Sequence, residues 1–166
     1  MQYINNRTIK TKKIHIKSDF KNSCYEFDIL KDKTLSILRI SDKKFNFGDN
    51  TMINYIETIK RIFDNAILDG IDTFLIKANN ECDIYLLEYL NSISKTQENF
   101  NTRIYAIVDS DFQDIDYLRD KVDFLSQGVI KVENAIILTP DLKNAKQIYD
   151  IDNFAKHFSR ICVYLN

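Results

Sequence analysis

The stretch NTMINYIETIKRIFDNAILDGIDTFLIKA, residues 50–78, decides the fold class. Met52, Ile56, Ile59, Phe63 and Ala66 recur at the 3.6-residue period of a helix, and Ile53 and Ile67 widen the apolar stripe. Asp49 or Asn50 supplies an N-cap after Gly48, and Gly70 is placed to end the helix. The short apolar run 73–76 then reads as a buried strand. A helix delivering the chain into a buried strand is the repeating unit of an α/β protein.

The same alternation continues toward the C-terminus. Asp83 caps a second helix with the stripe Ile84, Leu87, Leu90 and Ile93, polar residues 94–102 return the chain, and 104–108 is the clearest buried strand. Asp111 or Asp114 caps a third helix through Ile115, Leu118, Val122 and Leu125, stopped near Gly128. A strand over 135–138 is closed by Thr139 and Pro140. Ala145, Ile148, Phe154 and Phe158 mark a last helical region with a break at 150–152, and 161–165 ends the chain as a strand. On the N-terminal side, Tyr25, Phe27 and Ile29 alternate, as do Leu35 and Ile37 beyond Lys31, Asp32 and Lys33, which predicts a β-hairpin over 25–40. Residues 9–17 add an edge strand whose lysines discourage edge-to-edge association.

The expectation is therefore an α/β fold: a mixed, mainly parallel sheet with an N-terminal β-hairpin and helices packed on it. It forms one domain over 1–166, with 1–24 as a basic arm or edge strand. Strands 73–76, 104–108 and 135–138 are expected to run parallel, gathering the loops after Ile76, Val108 and Leu138 at one sheet edge.

Composition narrows the functions. The chain has 166 residues, 45% apolar and 28% charged, which suits a packed domain and excludes a disordered one. A formal charge of −1 argues against nonspecific nucleic-acid binding. Cys24, Cys82 and Cys162 form no ligand motif and read as reduced thiols of a cytoplasmic protein. Residues 1–20 are polar and basic, without the apolar core of a secretory signal, and no apolar run reaches the roughly 20 residues of a membrane span. The abundance of Ile, Asn, Lys and Asp fits an AT-rich coding sequence.

Candidate chemistry is sparse. Asp109, Asp111, Asp114 and Asp116 are the densest acidic stretch. Asp109 and Asp111 at a strand end suit a hard cation, whereas carboxylates at a helix start suit free N–H groups and the helix dipole, and the second reading is preferred. His15 alternates with Ile14 and Ile16 on a strand and His157 precedes Phe158 on a helix, so neither has a visible orienting partner for acid–base work. Cys82 sits near a helix start, but Glu81 and Asp83 oppose thiolate formation. Arg7, Lys10, Lys12, Lys13, Lys17 and Lys21 make a basic arm that suits an acidic partner or simply a solvated edge. Phe45 and Phe47 before the first helix suit either partner anchors or core.

From about residue 25 to 149 the order of elements resembles a STAS-type domain, the fold of anti-sigma-factor antagonists. The resemblance is carried by TLSILRIS, NTMINYIETIKRIFDNAI, TFLI, CDIYLLEYLNSI, IYAIVDS and AIILTPDLKNAKQIY. It implies a bacterial regulatory or signalling module that acts through protein–protein contacts, without a cofactor. Where phosphoregulated members carry a serine at the start of the second helix, this chain has Asn79, Asn80, Glu81, Cys82 and Asp83, so switching by phosphorylation there is not implied. Two enzyme families are also resembled. Residues 46–78 look like the first βαβ unit of crotonases, but no glycine between Gly70 and Gly128 follows the strand to build their oxyanion hole. The Asp109–Asp111 pair looks like the metal pair of Toprim enzymes, but Asn79 stands where their earlier Glu belongs. The expected site is a partner-binding surface of Phe47, Asn79, Asn80, Glu81 and Asp83, with no catalytic residue assigned and self-association left open. The alternative is an enzyme or degenerate enzyme using Asp109 and Asp111.

Overall fold

The computed structural model describes residues 2–5, 13–17, 26–39, 50–78, 81–96, 102–136 and 147–165. In chain order the elements are β1 (Gln2–Asn5), β2 (Lys13–Lys17), β3 (Glu26–Leu30), a 3-10 turn (Lys31–Lys33), β4 (Thr34–Arg39), α1 (Asn50–Leu68), β5 (Thr73–Lys77), α2 (Glu81–Thr96), β6 (Arg103–Val108), α3 (Ile115–Arg119), β7 (Phe124–Gln127), β8 (Ile130–Ile136), β9 (Gln147–Tyr149), α4 (Ile151–Phe158) and β10 (Ile161–Leu165).

The apolar stripe of α1 produces the expected packing. Ile56, Ile59, Phe63 and Ala66 are buried, Ile67 is half-buried against them, and the side chain of Met52 lies outside the described residues. Ile53 departs from the expectation: it is 50% exposed, on the outer side of the helix. Phe63 meets Phe74 of β5 edge-to-face, with ring centroids 5.4 Å apart. Gly70, at φ +87, lets α1 stop in a Schellman turn: its N–H donates to the Ile67 carbonyl, and that of Ile71 donates to Ala66. Ile71 is then buried beside Ala66 in the same cluster, and the chain enters β5.

Strands β10, β4, β5, β6 and β7 lie side by side and parallel, with β1 antiparallel on the outer edge of β10, giving a six-stranded sheet. Alternate residues of the sheet enter different cores, as strand geometry requires. Leu35, Ile37, Phe74, Ile76, Ile104, Ala106, Val108 and Leu125 pack with α1, α2 and Leu118 of α3. Leu38, Leu75, Tyr105, Ile107 and Phe124 pack on the other face with α4 and Ile130. Successive crossovers that step the same way along a sheet put their helices on one face. The mixed, mainly parallel α/β architecture is thus present.

Several local expectations are corrected. The predicted hairpin over 25–40 does not form: β3 belongs to a separate antiparallel four-stranded sheet, ordered β3-β2-β8-β9, while β4 pairs in parallel with β5 and β10. The backbone N–H of Arg160 bonds to the carbonyls of Lys31 and Thr34, which holds the 3-10 turn against the start of β10 and sends β4 into the large sheet. The N-terminal antiparallel pair is instead β2 with β3, and β2 lies inside its sheet between β3 and β8, not at an edge. The predicted third helix is short, because the Asp123 carboxylate accepts from the Ile104 N–H (2.7 Å) and its own N–H donates to the Ile104 carbonyl. That clamp lays 124–127 beside β6 as a strand, with Phe124 and Leu125 in opposite cores. The region 135–138 is not parallel to β5 and β6: its first part closes β8, which is antiparallel to β2 and β9. Only Gly128 and Val129 separate β7 from β8, far fewer than the dozen or so residues of a parallel crossover. The expected break at 150–152 is the boundary between β9 and α4, where the Asp150 side chain accepts from the Asn153 N–H at 2.8 Å. Ile148 therefore belongs to a strand, and β1 had no counterpart in the sequence reading.

Among the described residues no helix is long and apolar enough to cross a membrane. Phe63→Ala should cost about 3–5 kcal/mol in urea unfolding, the range for emptying a buried aromatic site. Gly70→Ala should cost about 1–2 kcal/mol, although nothing lies within 4 Å of the added Cβ, because the left-handed backbone alone opposes it.

Candidate functional site

Parallel pairing brings the C-terminal ends of β5, β6 and β7 to one sheet edge. The edge is tied by backbone bonds, from the Ala78 N–H to the Ile107 carbonyl and from the Gly128 N–H to the Val108 carbonyl, each 2.8 Å. Gly128, at φ +75, passes Ser110: a Cβ placed there would sit 3.9 Å from that of the serine. After β6 the chain turns at once, the Phe112 N–H bonding to the Asp109 carbonyl. Asp109, Ser110 and Asp111 are consequently exposed at the edge, Asp109 by 57%. Lys77 at the end of β5 approaches Asp109 at 3.9 Å, a long and solvated ion pair that orients the edge more than it stabilises it.

The ends of β5 and β6, at Lys77 and Asp109, therefore lie side by side, as the expected parallel pairing requires. The third expected loop, Thr139, Pro140 and Asp141, lies outside the described residues. So do Phe47, Asn79 and Asn80, and the side chain of Glu81, whose backbone opens α2. Asp83 is only 4% exposed, so its carboxylate lies inside the first turn of α2 and not on the open surface. Asp114 takes the N-cap position of α3 without a side-chain cap bond, contrary to the capping role read for it, and that helix is five residues long. Among the described residues no three His, Cys, Asp or Glu side chains group as a metal ligand set.

A second surface feature went unread in the sequence. Lys60 of α1 lies over the rings of Tyr85 and Tyr89 of α2, 5.3 and 4.7 Å from their centroids. The Tyr89 hydroxyl donates to Asp64 at 3.3 Å. The Tyr117 hydroxyl of α3 donates to Glu88, and Lys121 lies 4.6 Å over the Tyr117 ring and 3.5 Å from Glu88. Burial and then Asp64 raise the Tyr89 pKa, while the Glu88 hydrogen bond raises that of Tyr117, so both phenols stay protonated as donors. Tyr117 is 49% exposed. The spacing of Tyr85, Glu88 and Tyr89 was the available signal, since residues three and four apart share a helix face.

Comparison with protein-family models, curated proteins and solved structures returns no match for this chain.

Of the thiols, Cys162 is buried in β10, where it donates to the Ala155 carbonyl at 3.3 Å. Burial pushes its pKa from 9.0 up to about 11. The folded chain thus holds a proton that the unfolded chain loses, so this contribution to stability is complete below pH 9.0 and falls as the pH rises to about 11. Cys162→Ala should flatten that part of the alkaline loss, measured as urea midpoints at each pH.

Proposed function

We propose that the chain is a non-enzymatic regulatory module of STAS-like type that binds a protein partner, in the manner of bacterial cytoplasmic signalling domains. The observation carrying this reading is the open polar edge at Lys77, Asp109, Ser110 and Asp111, beside the start of α2. Asp109, Ser110 and Asp111 stand in solvent on the loop after β6, with the half-buried Lys77 beside them at the end of β5, an arrangement suited to the face of another macromolecule. A small-molecule site would instead enclose its ligand within a largely apolar cavity. The run β4, α1, β5, α2 and β6 supports this reading, whereas the hairpin before it and the parallel strand at 135–138, which also carried the STAS resemblance, do not form.

The test begins with capture of binding proteins from the native source, followed by a binding isotherm with the purified partner. Glu81→Lys and Asp111→Lys should each weaken that affinity by about tenfold, the effect of a charge reversal worth about 1.4 kcal/mol at an interface. The thermal midpoint of Asp111→Lys should match the parent, while that of Glu81→Lys should fall slightly, since it sets a cation at the first residue of α2. Retention of full affinity by both variants would remove this edge from the reading. Millimolar Mg²⁺ or Mn²⁺ should leave the midpoint unchanged; a rise abolished by Asp109→Asn would point to the metal-enzyme alternative, since a bound ion stabilises the folded state by linkage.

A further inference from the structure

We draw no further inference here: the strongest candidate, the outer surface of α1, α2 and α3 where Lys60 lies over Tyr85 and Tyr89 and Lys121 lies over Tyr117, carries none, because its cations already meet carboxylates of the same face and nothing in the structure shows what covers it.

Discussion

The parallel pairing of β10 with β4 is the contact on which the remaining architecture depends, because it joins the last strand of the chain to the first of the parallel series. Residue 160 secures it. The Arg160 backbone N–H bonds to the carbonyls of Lys31 and Thr34, while its guanidinium reaches Asn5, the Asp32 carbonyl and both the carbonyl and carboxylate of Asp69. One residue thus ties together β1, the 3-10 turn, the end of α1 and the start of β10. A planar guanidinium with several fixed donors suits this position, where a lysine would lose most of the geometry. The single ion pair at 4.0 Å contributes little by itself; the value of the site lies in the number of segments it aligns.

Once β4 is flanked by β10 and β5, the sheet separates two cores. The face covered by α1, α2 and α3 buries a large apolar cluster. The opposite face carries buried hydroxyls, and these are paired: Ser36 with Ser159, and Tyr105 with Ser126. Burial of such groups costs free energy unless a partner is supplied, so each pair also selects its register. Ser36 with Ser159 reports β4 against the entry to β10, and Tyr105 with Ser126 reports β6 against β7.

The candidate edge follows from the same parallelism. Strands that run one way deliver their outgoing loops to one side, which is how Lys77 comes to face Asp109 and how Ser110 comes to lie under Gly128. The helices α1, α2 and α3, packed on the same face, line up Lys60, Tyr85, Tyr89, Tyr117, Glu88 and Lys121 as a linked surface. No single segment of sequence contains either arrangement.

The sequence by itself determined which side chains could be buried along an element, because apolar period is a local property. Ile56, Ile59, Phe63 and Ala66 declared α1, Gly70 its end, and 73–76 and 104–108 their strands. The acidic edge at Asp109 and Asp111 was legible as a strand end, whereas the burial of Asp83 was not, since a polar residue near a helix start reads alike whether the helix faces solvent or sheet. Strand partners were decided only in three dimensions. Backbone ladder groups are chemically the same in every residue, so 124–127 became a strand through the distant Asp123–Ile104 clamp, and 130–136 left for the second sheet because two residues cannot make a parallel crossover.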